Sequence, residues 1–133
     1  MRLKALLIVT AIVEVVTGLA LLALPALVLA FLLGIQAAQT ETLFVGRVAG
    51  AALLAIGVTS ALARDDAGTP AQRGVLIGIL LYDVLVALLL VYAGLAVQMA
   101  GPTLWPAVVL HTLLAVWCLV CLQFAKATTS GAR

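Results

Sequence analysis

Apolar positions dominate this chain in four long runs, at about 3–24, 43–63, 74–97 and 104–125, broken by short polar interruptions. Each run has the roughly 20 residues that a helix needs to cross a hydrocarbon layer. The interruptions are "GIQAAQTET" at 34–42, "RDDAGTPAQR" at 64–73 and the neighbourhood of "QMAGPT" at 98–103, and only the middle one is strongly hydrophilic. Connections this short make successive helices antiparallel neighbours. The pattern therefore predicts an all-α protein, a membrane-embedded four-helix antiparallel bundle forming a single transmembrane domain over residues 1–133. The first apolar run continues past Pro25 to Leu33. Proline removes a backbone donor and clashes with the preceding turn, so the first helix should be kinked or broken there. "PALVLAFLLG" is then either a tilted continuation or a short helix near the interface. Pro102 and Pro106 suit the first turn of the fourth run. Tyr92 and Trp105, toward the outer ends of runs three and four, suit interfacial anchors.

Composition changes the picture in one respect: it names the solvent. The chain is 66% hydrophobic and only 9% charged, with mean hydropathy +1.34, where a soluble domain carries about a quarter charged residues. Too few polar side chains exist to cover a water-facing surface, so the outer face must meet lipid. "MRLKALLIVTAIVEVV" imitates a signal peptide, but the apolar run contains Glu14 and lacks a small-x-small cleavage site, so it is expected to stay as an anchor. The net charge of +2 is spread over scattered basic residues, which excludes nucleic acid as an expected partner. Arg2, Lys4, Arg64, Arg73, Lys126 and Arg133 all fall on one side of a four-span plan. The positive-inside rule puts both termini and the 64–73 loop in the cytoplasm.

Within the core of each run lies one charged or imidazole side chain: Glu14, Arg47, Asp83 and His111. At about 1.5 Å per residue, Glu14 and Asp83 fall near the midplane, His111 slightly outward and Arg47 further out. A charge facing lipid at a helix centre costs about 2.5–3.5 kcal/mol on insertion scales, so all four are expected to turn inward as a ligand- or proton-binding cluster. Arg47 would reach back to a carboxylate. The formal sum of Glu14, Arg47 and Asp83 is minus one, which predicts a strongly shifted pKa somewhere among the four. Two readings stay open: a functional site, or a polar core that satisfies itself and fixes helix register. Small residues accompany these positions: Thr10, Thr17 and Gly18 beside Glu14, Gly46-xxx-Gly50 beside Arg47, then Gly57 and Ala61. Gly74-xxx-Gly78 lies on a face other than that of Asp83, and Ala107, Ala115 and Cys118 share a stripe with His111. Tyr82 adjoins Asp83 but points about 100° away, toward a different contact. Cys118 and Cys121 sit in apolar sequence and read as packing residues. His111 and Cys118 are two turns apart, too far to share an ion on one helix, so spacing implies neither a metal nor a cofactor. Asp65 and Asp66 read as a solvated turn.

"LFVGRVAGAALLAIGVTSALAR" and "LLYDVLVALLLVYAGL" resemble small bacterial four-helix membrane proteins of the broad DoxX-like kind. The resemblance implies the inner (cytoplasmic) membrane of a bacterium and an accessory role, tied in some members to quinone-linked oxidation or to assembly of other membrane proteins. "AIVEVVTGLAL" is similar to the first helix of small multidrug resistance transporters. The other three helices depart from that pattern, and an arginine beside Glu14 would oppose a cationic substrate. Three functional classes follow: an accessory subunit or binder of a small hydrophobic, lipid-like ligand, a proton-coupled transporter working as a dimer, and a membrane-embedded enzyme on a lipid or quinone with His111 and a carboxylate as acid and base. The expected partners are the bilayer, a hydrophobic small molecule, and a homodimer or larger membrane complex.

Overall fold

The computed structural model describes the backbone of residues 2–130 and the side chains of residues 2–123; Arg133 and the side chain of Lys126 lie outside the described residues. Five helices and no strands occur among them: α1 (Arg2–Ala23), α2 (Pro25–Leu33), α3 (Thr40–Ala63), α4 (Pro70–Leu95) and α5 (Leu104–Ser130). Four of these are long and apolar enough to cross a membrane. Large apolar side chains such as Ile12, Phe44, Leu62, Leu81, Leu89 and Leu113 are exposed around the outside.

The helix boundaries follow capping chemistry more closely than hydropathy. α4 begins four residues before the apolar run, because Thr69 Oγ1 accepts from the Gln72 amide and Pro70 occupies the first turn. Gln72, itself buried, then donates from Nε2 to the carbonyl of Ala63 at 2.8 Å and accepts from the Gly68 amide, stapling the 64–69 turn to the end of α3.

The first apolar run is broken outright. Leu24 leaves helical geometry at φ −132°, ψ 53°, and α2 restarts on Pro25. Gly34 closes it in the left-handed conformation, φ 76°, which a glycine adopts without steric cost. The amide and hydroxyl of Thr103 both donate to the Phe31 carbonyl at 3.0 Å, so the end of α2 is held against the start of α5.

α1 packs most closely on α3, and α4 on α5. The backbones of α1 and α3 come together at Gly18 and Gly50, where a Cβ on Gly18 would lie 2.7 Å from the Gly50 carbonyl oxygen and one on Gly50 2.8 Å from that of Gly18. Gly57 meets Ala11 and Val15, and Gly46 meets Leu21 and Pro25. Among the described residues, the Gly74-xxx-Gly78 pair meets nothing within 4 Å, so it mediates no helix contact there.

The interior changes character along the helices. At the end near the chain start, Leu6, Leu7, Ala63, Leu76, Ile79, Leu114, Cys118 and Cys121 form a closed apolar cluster. Lys4 pairs with Asp65 at 2.6 Å beside it, and Arg64 with Asp65 at 3.1 Å. One to two turns further along α1, α4 and α5, the apolar plug gives way to polar side chains.

Candidate functional site

Three of the four sequence-predicted residues meet. Glu14 on α1, Asp83 on α4 and His111 on α5 each present one ligating atom, all within 4.8 Å of one another. Glu14 is 1% and Asp83 0% exposed, and His111 is buried too. His111 Nδ1 lies 2.8 Å from Asp83 Oδ1, within hydrogen-bond distance. The bond joins α4 to α5, the pair that packs most closely on that side.

Tyr82 completes the cluster, and sequence reasoning sent it elsewhere. Its hydroxyl donates to Glu14 Oε2 at 3.1 Å, and its ring stands edge-on to His111, centroids 5.6 Å apart. The 100° offset from Asp83 is real, but it lets neighbouring residues on α4 address two different helices: Asp83 faces α5 while Tyr82 reaches α1. The available signal was the length of the tyrosine side chain beside a buried carboxylate.

Arg47 is not brought in, a correction to the expectation. It is exposed, and its Nε donates to the Leu22 carbonyl at 3.3 Å. Leu22 lies in the last turn of α1, where carbonyls lose their intrahelical donors as the helix stops before Pro25. The depth count put Arg47 outward of the other three. What failed was the assumption that it would reach back to Glu14 or Asp83 when a freed carbonyl lay closer. With Arg47 so placed, the electrostatic objection to a cationic group near Glu14 also falls.

The rest of the cluster is under-satisfied. Among the described residues, the buried side-chain oxygens without a hydrogen-bond partner are Thr10 Oγ1, Glu14 Oε1 and Asp83 Oδ2. Buried polar atoms normally find partners. The two carboxylate oxygens both belong to residues that meet His111. Cys118 and Cys121 are free and buried, and Cys118 donates from Sγ to the Leu76 carbonyl at 3.2 Å.

Beyond the cluster, on the side away from the apolar plug, lies a cavity of about 560 Å³ to which every helix contributes. Glu14, Tyr82 and His111 form its polar edge, with Thr17 and Thr103; the remaining lining is aliphatic apart from Phe31. Val16, Leu27, Phe31 and Leu110 line it and are also exposed, so it opens sideways onto the apolar outer face. The short helix α2, made by the break at Pro25, supplies part of that mouth. Compared with known proteins, the chain has no match among family models, curated sequences or solved structures.

Proposed function

We propose that this is a small polytopic membrane protein that binds a hydrophobic, lipid-like molecule in the cavity between its helices, with the polar head against Glu14, Tyr82 and His111. The observation that carries the reading is the cavity itself. Its volume of about 560 Å³ falls within the roughly 300–1,000 Å³ of small-molecule sites, and an apolar lining with a few convergent polar groups is their usual chemistry. Its mouth opens among side chains that would face acyl chains, which favours a ligand arriving from the bilayer.

Several features support the membrane plan. Partners along α3 fall in number, from Gly57 to Gly50 to Gly46, as those along α1 rise from Ala11 to Gly18 to Leu21, which favours an antiparallel pair within a four-crossing bundle. The Lys4–Asp65 pair brings the chain start beside the 64–73 loop. Together with the basic residues there, it favours a cytoplasmic location for that end. The DoxX-like resemblance adds the bacterial inner membrane and an accessory role to the same reading.

Native mass spectrometry of the protein released from mild detergent tests the ligand. The wild type is expected to retain a small amphiphile, or to take up an added monoacylglycerol, at one copy per chain. Ala107→Phe, which projects a ring from the cavity wall, is expected to abolish retention while leaving the helical content intact. A wild type that neither retains nor takes up such a molecule, or an Ala107→Phe variant that binds as well as the wild type, would overturn the reading.

A further inference from the structure

We infer that Glu14, Asp83 and His111 form a binding site for a divalent first-row cation such as Zn²⁺. Three ligating atoms mutually within 4.8 Å leave some point within about 2.8 Å of all of them, whereas metal bonds to carboxylate and imidazole are about 2.0–2.2 Å. An inward movement of well under an ångström per side chain closes that difference. The Asp83–His111 contact already has the right scale: its 2.8 Å separation is close to the roughly 3 Å between neighbouring ligands on an ion with bonds near 2.1 Å. A cation there would take the place of the hydrogen bond between them.

Charge argues the same way. In the deprotonated state that metal ligation requires, two carboxylates and a neutral imidazole would sum to minus two. Among the described residues, the only basic side chain within ion-pair distance of either carboxylate is His111. Burying such charge uncompensated is costly, and one divalent ion brings the sum to zero. The independent observation is that Glu14 Oε1 and Asp83 Oδ2, both in residues no more than 1% exposed, have no hydrogen-bond partner. A cation held by Glu14 Oε1, and by both oxygens of Asp83, would satisfy such orphaned lone pairs. The donor set is two oxygens and one nitrogen, which suits Zn²⁺, Mn²⁺ or Fe²⁺ rather than the thiolate-seeking Cu(I). Tyr82, bonded to Glu14 Oε2, acts as an outer-shell partner that orients the carboxylate. Sequence spacing misses the trio because its members come from three helices.

The site does not depend on the apolar ligand proposed above, and its test needs only the metal. Protein stripped with a chelator in mild detergent is titrated with Zn²⁺ against a chromophoric competitor. One Zn²⁺ per chain is expected. Asp83→Asn and His111→Gln are each expected to weaken it by at least about 100-fold, the upper end of losses seen for outer-shell changes. The Cys118→Ala/Cys121→Ala double variant is expected to bind as the wild type does. Should the site variants fail to fold, Co²⁺ bound to the wild type decides: ligand-field bands of an oxygen and nitrogen site support the assignment, and a thiolate charge-transfer band overturns it. No stoichiometric Zn²⁺ on the wild type, undiminished binding by folded Asp83→Asn, or loss of binding on removing the cysteines would each overturn it as well.

Discussion

Removing one half of the Asp83–His111 pair should cost more than removing both. In His111→Leu, Asp83 loses the partner of Oδ1, and Oδ2 has none to begin with. A carboxylate 0% exposed is then left with no hydrogen bond at all. Breaking a buried pair costs about 3–5 kcal/mol in water-soluble proteins. In a bilayer the penalty falls, because separated helices find other partners; interhelical hydrogen bonds there average about 0.6 and reach about 1.7 kcal/mol. The absence of a second partner for Asp83 places this pair at the upper end, so His111→Leu should cost about 2–3 kcal/mol. Asp83→Leu strands only an imidazole that also borders the cavity, and should cost about 1–2 kcal/mol. The double variant removes both polar groups and restores apolar packing between α4 and α5, and should be less destabilised than His111→Leu alone. Reversible unfolding in mixed micelles by added dodecyl sulfate, with a chelator present throughout, measures all four proteins. The coupling energy should exceed about 1.5 kcal/mol. Single-variant costs that add to the double within about 0.5 kcal/mol would refute the argument, since independent sites behave that way.

Two further outcomes follow from contacts outside the cluster. Gly50→Ala places a Cβ 2.8 Å from the Gly18 carbonyl oxygen and 2.9 Å from Leu21 Cβ; it should destabilise the fold by about 1–3 kcal/mol as α1 and α3 are forced apart, whereas Gly78→Ala, with nothing within 4 Å, should be neutral or gain up to about 1 kcal/mol from helix propensity, and the same unfolding assay compares them. The Asp65 carboxyl is held below the ordinary carboxylate range by hydrogen bonds from Lys4 and Arg64, so its stabilising contribution is present above the ordinary range and is lost as pH falls through the lowered folded value; unfolding measured across the acid range should show this slope in low salt, weakened by Asp65→Asn and by high salt, because the pair is exposed.

Hydropathy made the four apolar helices legible, since runs of about 20 predominantly apolar residues admit few other structures. The break at Pro25 was legible for an equally local reason, because a missing amide acts within one turn. The cap at Thr69 was missed by attending to hydropathy alone. Burial of Glu14, Asp83 and His111 was legible from solvation energy: each sits mid-run, where facing lipid is expensive. Pairing within the cluster was not. It depends on which helices become neighbours and on their rotation, and no spacing along a single helix encodes either.

Arg47 and Tyr82 show where the reasoning by charge stops. Both were assigned from position on their own helix, and both were redirected by something on another helix. The loss of α1's regular hydrogen bonding at Pro25 left the Leu22 carbonyl within reach of Arg47, a neutral acceptor that drew the cation away from two carboxylates. The same break produced α2, which lines the cavity mouth and is held at Phe31 by Thr103. The break at Pro25 therefore bears on the interior twice: it lies beside the carbonyl that Arg47 bonds, and it makes the short helix that lines the cavity mouth. A polar core built only to satisfy itself would need neither. The cluster that borders the cavity through Glu14, Tyr82 and His111, with Glu14 Oε1 and the more deeply buried Asp83 Oδ2 unpartnered, is what both the proposed ligand and the proposed cation build on.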